Sequence, residues 1–169
     1  MRFELMYDRH GPAVKAYVLR RSRDRSIVDD VVAEVFVVCW RRFEELPPDP
    51  LPWLLGVARR VLSTQRRGER RRVALRERLA EGVRDPLVAV PIEDGSLRGA
   101  LERLSDPDRE LLLLIAWDGL SPAQAAAVLQ IKPATARVRL LRARRRLTQA
   151  LRAESASGTP LPLPMEGSS

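Results

Sequence analysis

Apolar residues recur along most of this chain with the spacing of an α-helix. The clearest stripe lies between residues 28 and 43 and consists of Val28, Val31, Val32, Val35, Phe36, Cys39 and Phe43. β-branched residues are poor helix formers, so a strand is the competing prediction for this stretch. The period and the length of the stripe favour a helix, and the sequence predicts an all-α fold.

Further helices are expected on both sides of this stripe. Upstream, a short helix that begins near Phe3 is interrupted at Gly11 and Pro12, and Ser26 can cap the helix that carries the stripe. Downstream, residues 44–52 form a stiff proline-rich loop, after which Trp53 opens another helix. The inward face of that helix is predicted to consist of Leu54, Val57, Ala58, Val61 and Leu62.

The middle of the chain contains a candidate domain boundary. Glycines and prolines punctuate residues 81–95, a composition typical of linkers. We therefore expect one small helical domain over residues 1–80, a flexible linker over 81–95 and a second helical domain over 96–152. The tail, residues 153–169, is rich in Ser, Gly and Pro and is expected to be disordered.

The second half of the chain ends in a predicted helix-turn-helix between Ser121 and Leu147. Ser121 and Gln124 can form a capping box around Pro122, and Pro133 suits the first position of the second helix. That second helix carries many arginines, which is typical of a helix that enters the major groove of DNA. The alternative is an amphipathic helix whose basic face is merely solvated. The capping signals at the starts of both helices favour a DNA-binding helix-turn-helix.

The composition narrows the possible chemistry. The chain has 169 residues, a formal net charge of +8 and a sequence pI of about 11.0, which favours a polyanionic partner. Cys39 is the only cysteine and His10 the only histidine, so an intramolecular disulfide and a cysteine zinc site are excluded. Cys39 is expected in the core, and no cofactor or metal is expected. With no signal peptide and no membrane-spanning run, we expect a cytoplasmic protein without membrane insertion.

An acidic pair stands out in this basic chain. Asp30 and Glu34 lie one helical turn apart on the predicted helix. They are either solvated carboxylates that can pair with Arg41, or a docking face for a basic surface on another protein.

A basic ridge follows the proline-rich loop. Arg60, Thr64 and Arg67 recur at i, i+4 and i+7, a spacing that forms one polar line suited to phosphates. A solvated helix face is the alternative. Only Glu69 offsets the surrounding arginines, so self-repulsion favours an anionic partner.

The order of these segments resembles the sigma-70 family of bacterial RNA polymerase sigma factors, in the extracytoplasmic-function (ECF) group that retains only domains 2 and 4. Residues 29–43, DDVVAEVFVVCWRRF, are similar to the family's core-polymerase-binding helix. Residues 52–67, PWLLGVARRVLSTQRR, are similar to its helix for the −10 promoter element, and residues 101–147 to domain 4 with its −35-reading helix-turn-helix. The resemblance implies a sigma factor that binds core RNA polymerase and directs promoter-specific initiation.

The resemblance also implies which residues bind each partner. The core-polymerase set would be Asp30, Ala33, Glu34, Val37 and Arg41. The −10 set would be Trp53, Arg59, Arg60, Ser63, Thr64, Arg66 and Arg67, with the loop of residues 44–52 capturing an unstacked base. The −35 set would be Lys132, Pro133, Thr135, Arg137, Val138, Arg139, Leu141 and Arg142. The implied partners are the largest polymerase subunits, promoter DNA that is double-stranded at −35 and partly single-stranded at −10, and an anti-sigma factor.

Several positions depart from the family pattern. Ala33 stands where a glutamine is usual, and Arg60 and Thr64 stand where asparagine and aspartate are typical. Lys132 replaces a usual N-cap serine. Gln130 replaces the glycine of the turn, where a left-handed backbone would be strained by about 1 kcal/mol. These departures predict an unusual promoter on an unchanged fold.

Two other classes of protein fit parts of the sequence. A helix-turn-helix regulator that never binds polymerase would leave Asp30 and Glu34 as idle surface charges. A DNA-acting enzyme, such as a recombinase or nuclease, needs a nucleophile or a carboxylate cluster for metal ions. No third group is found to converge on Asp29, Asp30 and Glu34, so we expect a protein without catalytic activity.

Overall fold

The computed structural model describes residues 3–22, 24–76 and 95–157, with backbone alone for residues 69–76 and 155–157. These residues form α-helices and one short 3₁₀ helix, and none of them forms a strand. The helices are α1 (Phe3–Arg21), α2 (Val28–Arg41), the 3₁₀ helix (Phe43–Glu45), α3 (Leu51–Arg76), α4 (Gly95–Glu102), α5 (Asp106–Ala116), α6 (Pro122–Leu129) and α7 (Pro133–Ser157). The predicted all-α fold is confirmed.

The first three helices pack around the apolar stripe of α2. Val31 and Val35 of α2 are fully buried, and they belong to the same core as Tyr17 of α1 and Leu54 of α3. Cys39 is also fully buried, and its burial raises the pKa of its thiol. The stripe is therefore helical, as its period predicts, and Cys39 is a core residue.

The two halves of the chain share one continuous core. α3 packs against α6, and a Cβ at Gly56 would lie only 3.9 Å from the backbone oxygen of Val128. That distance is an ordinary van der Waals contact, so the backbones of the two helices lie next to each other at this point. The two predicted helical domains are therefore in contact. Residues 81–94 of the predicted linker lie outside the described residues.

Two expectations for the first half were wrong. α1 runs without a break through Gly11 and Pro12, because it buries Met6 before them and Val14 after them, and this outweighs one missing backbone hydrogen bond. Ser26 does not cap α2. Its hydroxyl instead donates to the Asp24 carboxylate at 2.6 Å.

The end of the second half also differs from expectation. α7 continues to Ser157, so residues 153–157 are helical and not part of a disordered tail. The extra turn packs on α4, where Glu154 forms an ion pair with Arg103 at 2.7 Å. Similarly, α3 begins at Leu51, so the predicted loop gives up its last two residues to the helix. Pro52 is tolerated there because the first helical positions need no N–H partner.

Candidate nucleic-acid interface

The helix-turn-helix begins with the predicted capping box. Ser121 Oγ accepts from the Gln124 backbone N–H at 3.2 Å, and Gln124 Oε1 accepts from the Ser121 N–H at 2.8 Å. α6 then ends at Leu129, and its C-cap residue Gln130 has a left-handed backbone at φ 56° and ψ 41°. Pro133 is the first residue of α7. The turn therefore keeps the geometry of a glycine turn although its residue carries a Cβ.

Gln130→Gly is expected to stabilise the protein by about 1 kcal/mol, because a left-handed backbone strains any residue that has a Cβ. Urea unfolding of the complete chain measures this change. Gln130→Ala is the matched control: it removes the side chain, keeps the Cβ and should give no gain. Equal free energies of unfolding for the two variants would contradict a strained left-handed backbone at residue 130.

The exposed side of α7 carries the predicted −35 set. Its opposite side is buried through Ala136, Leu140 and Ala143. All eight predicted residues lie at the surface, and Val138 and Leu141 are 51% and 60% exposed, so neither belongs to the core. An open cleft of about 450 Å³ runs along this side and is lined by Ala134, Thr135, Val138, Arg139, Arg142, Arg146 and Asp108. The cleft gathers four of the eight, whereas Lys132, Pro133, Arg137 and Leu141 lie outside it.

An acidic side chain lies at the base of this cleft. Asp108 of α5 is 6% exposed and accepts a hydrogen bond from Arg146 Nη1 at 2.8 Å. Its other carboxylate oxygen lies 4.0 Å from Arg139 Nε. Sequence reasoning missed Asp108 because the contact joins residues that are distant in the chain.

The predicted −10 set divides into two lines on α3. Arg60, Thr64 and Arg67 are exposed along one side, in line with half-buried Trp53. The second line consists of Arg59, Ser63 and Arg66, and it borders a cleft of about 310 Å³ between the domains, whose other wall includes Asp106, Pro107 and Glu110 of α5. The second domain therefore borders one of the two lines, in which Arg59 is exposed and Ser63 and Arg66 are half-buried.

Beside this cleft, buried charges join the two domains. We call Tyr17, Arg20, Arg21, Glu110 and Asp118 the interdomain ion-pair cluster. Arg21, 3% exposed, donates from Nε to Glu110 Oε1 at 2.9 Å and from Nη2 to Asp118 Oδ2 at 2.8 Å. Arg20 also pairs with Asp118, and the Tyr17 hydroxyl donates to Glu110 at 3.1 Å. Burial, followed by the charge of Glu110, raises the pKa of Tyr17 well above its usual range.

The exposed face of α2 carries the predicted core-polymerase set. Its members form one continuous strip, and all are exposed: Asp30, Ala33, Glu34, Val37 and Arg41. Within the described part of the chain, neither Asp30 nor Glu34 forms an ion pair, so the pairing with Arg41 is not observed. Asp29, by contrast, pairs with Lys15 at 2.8 Å.

Trp40 extends this strip and was missed by sequence reasoning. It is 64% exposed, and its ring packs edge-on against Phe3 with centroids 5.0 Å apart. Its spacing from Val37 and Ala33, three and seven residues, is the signal that could have placed it on this face.

Neither a metal site nor a membrane-spanning helix is found in the described ranges. No group of three His, Cys, Asp or Glu residues there could hold a metal ion. No helix in those ranges is long and apolar enough to cross a bilayer.

Comparison with known proteins matches both halves of the chain. Residues 6–72 match the family model of sigma-70 region 2, and residues 94–147 match that of sigma-70 region 4. The RNA polymerase sigma factor CnrH of Cupriavidus metallidurans is 30% identical over 168 residues, which cover 90% of this chain and 88% of CnrH. The ECF RNA polymerase sigma factor SigL of Mycobacterium tuberculosis is 30% identical over 144 residues, which cover 80% of each chain.

Solved structures share the fold. The sigma factor RpoE, in complex with the anti-sigma factor NepR from Bartonella quintana, aligns with a TM-score of 0.66 at 24% identity, over 89% of this chain and 96% of that one. CnrH in complex with the cytosolic domain of CnrY aligns with a TM-score of 0.59 at 26% identity, over 89% of this chain and 88% of that one.

Proposed function

Since the chain belongs to the sigma-70 family of RNA polymerase sigma factors, in the ECF group, we propose that three of its faces divide the work of promoter-specific initiation. In this proposal α2 binds core polymerase, α3 contacts the −10 element and α7 contacts the −35 element. The chain has no catalytic role of its own and works in the cytoplasm, where its polymerase is. The rival reading as a regulator that never binds polymerase is not favoured, because relatives match the chain through both regions.

The observation that carries this proposal is the exposed strip on α2. Asp30 and Glu34 project from a chain of net charge +8 without partners among the described residues, next to exposed Val37 and Trp40. Exposed carboxylates beside apolar side chains suit a partner surface that combines basic and apolar groups. We assign the strip, with Trp40 added, to the largest polymerase subunits.

The two DNA faces are assigned by charge and exposure. On α3, Arg60, Thr64 and Arg67 are free to meet the −10 phosphates, and the preceding loop is suited to hold an unstacked base. On α7, Thr135, Val138, Arg139 and Arg142 share one cleft and are proposed to read −35 base edges. A well-placed Arg–guanine pair contributes about 1–3 kcal/mol of discrimination.

The described arrangement of the two domains is a closed one. α3 and α6 are in contact, whereas the −10 and −35 elements lie about 25 base pairs apart, or about 85 Å along B-DNA. One promoter can therefore engage both faces only after the domains separate. An anti-sigma factor is a further proposed partner, by analogy with CnrH, which was solved in complex with the cytosolic domain of CnrY.

Reversing both charges of the α2 strip tests the assignment. Asp30→Arg/Glu34→Arg is expected to reduce capture of bacterial core polymerase by the immobilised complete chain at least tenfold, because like charges then face each other. The matched control is Glu44→Arg/Glu45→Arg, which reverses two exposed carboxylates outside the strip and should capture polymerase normally.

Two outcomes of this capture experiment would count against the proposal. Equal capture by the wild type and the α2 variant would reject the strip as the docking surface. No capture by the wild type would favour the regulator that does not bind polymerase.

A further inference from the structure

The structure assigns Asp108 as a positioning residue that sets the base preference of α7 at the −35 element. This inference rests on the proposed role of α7. Asp108 belongs to α5, outside the helix-turn-helix, and none of the family-derived site residues lies in that helix. Its carboxylate nevertheless lies at the base of the cleft that the proposed reading residues share.

The geometry links this carboxylate to two arginines on one face of α7. Arg139 and Arg146 are seven residues apart and therefore nearly aligned along the helix. Asp108 Oδ2 accepts from Arg146 Nη1 at 2.8 Å, while Oδ1 lies 4.0 Å from Arg139 Nε. Asp108 is therefore hydrogen-bonded to Arg146 and makes a longer charge contact with Arg139. Arg142, between them on the same face, forms no ion pair with the described residues.

The surroundings of Asp108 hold the carboxylate in place. It lies in the first turn of α5, where the helix dipole favours a negative charge, and its side chain is only 8% exposed. Its backbone N–H donates to the Ser105 cap at 3.4 Å. A carboxylate fixed in this way holds the guanidinium of Arg146 by a hydrogen bond and attracts that of Arg139.

This restriction has a consequence for reading DNA. An unrestrained arginine can reach the nearest phosphate, which gives affinity without sequence information. A carboxylate 4.0 Å from Arg139 attracts the guanidinium, competes with phosphate for it and favours orientations along the cleft, from which a guanine edge can be read. Asp108 is therefore expected to reduce general attraction to DNA while sharpening base preference.

The test uses the complete chain bound to core polymerase and a promoter library with a randomised −35 element. Transcript sequencing gives the base preference at each position, and binding at several salt concentrations gives the salt slope. Asp108→Asn should lower the preference at the position that Arg139 reads about tenfold and steepen the salt slope by about one phosphate contact.

Asp108→Glu separates positioning from simple charge. It keeps the negative charge but moves the carboxylate by one methylene, so the salt slope should stay as in the wild type while the base preference changes. The matched control is Asp106→Asn, which removes a carboxylate from the same helix turn that pairs with Arg109 and not with α7. It should leave the −35 profile unchanged. If Asp108→Asn fails to fold in a thermal melt, Asp108→Glu carries the test.

Arg139→Ala distinguishes failure of this inference from failure of the proposed function. It should flatten the same −35 position that Asp108→Asn affects. An unchanged profile in Arg139→Ala would reject Arg139 as a reading residue. A changed profile in Arg139→Ala, with unchanged profiles in both Asp108 variants, would overturn the role of Asp108 alone, even if their salt slope changed.

Discussion

Neutralising Glu110 and Asp118 together is expected to separate the two domains. Glu110→Gln/Asp118→Asn leaves Arg21 buried without a counter-charge, and breaking a buried ion pair in this way costs about 3–5 kcal/mol. The chain can avoid much of that cost by opening, because Arg21 then regains water. The equilibrium between closed and open forms should shift by roughly a hundredfold or more.

Energy transfer between two fluorophores measures the opening. Cysteines introduced at exposed Asp8 of α1 and Arg145 of α7 can be labelled selectively, because the native Cys39 is fully buried and its burial raises its thiol pKa. The two dyes then report on the distance between domains in the complete chain. We expect a longer mean distance in the double variant than in the wild type.

Opening should also change DNA binding. Separation of the domains removes the α5 wall beside Arg59 and exposes half-buried Ser63 and Arg66 further, so single-stranded −10 DNA should bind more tightly to the double variant. Arg103→Ala/Glu154→Ala is the control, because it removes an exposed ion pair within the second domain. An unchanged distance would contradict the role of the interdomain ion-pair cluster. A longer distance with weaker DNA binding would contradict the idea that the α5 wall restricts access to Ser63 and Arg66.

Arg109→Ala is the second change with a large expected effect. Arg109 is 5% exposed and donates to the backbone carbonyls of Leu101, Glu102 and Leu104, at the end of α4. Without it, these carbonyls lose a charged donor at a helix C-terminus, where no intrahelical partner exists. We expect the free energy of unfolding to fall by about 3–5 kcal/mol.

Urea unfolding of the complete chain measures this loss. Arg109→Lys should lose less than Arg109→Ala, because an ammonium keeps the charge but cannot reach all the carbonyls that a planar guanidinium reaches. Arg103→Ala, which removes an exposed arginine nearby, should have little effect. If Arg109→Ala lowers the free energy of unfolding by less than about 1 kcal/mol, the hydrogen bonds from Arg109 to these carbonyls do not stabilise the protein as expected.

Local sequence patterns were sufficient to predict much of the fold. The stripe on α2 and the capping box at Ser121 depend on residues within a few positions of one another, and the structure confirms both. The predictions at Gly11–Pro12 and Ser26 were wrong for a related reason. Local signals for a helix break or a cap were outweighed there by burial along α1 and by hydrogen bonds to Asp24.

The candidate sites also divide into those that local patterns predict and those that depend on contacts between distant residues. The strips on α2, α3 and α7 could be predicted because each lies on a single helix. Asp108 beneath Arg139, and Glu110 against Arg21, could not be predicted, since these pairs join residues 31 and 89 positions apart.

Local patterns were enough to predict most of the helices, the order of the sigma-70 regions and the helix faces that carry charge, because helical period and capping act within a few residues. The pairing of those charges emerged only from the packing of the helices. This packing buried Arg21 between the domains, placed α5 across a cleft from one line of the predicted −10 residues and brought Asp108 into the cleft along α7. Charge pairing depends on distance in space, and residues far apart in the chain come together only when the helices pack.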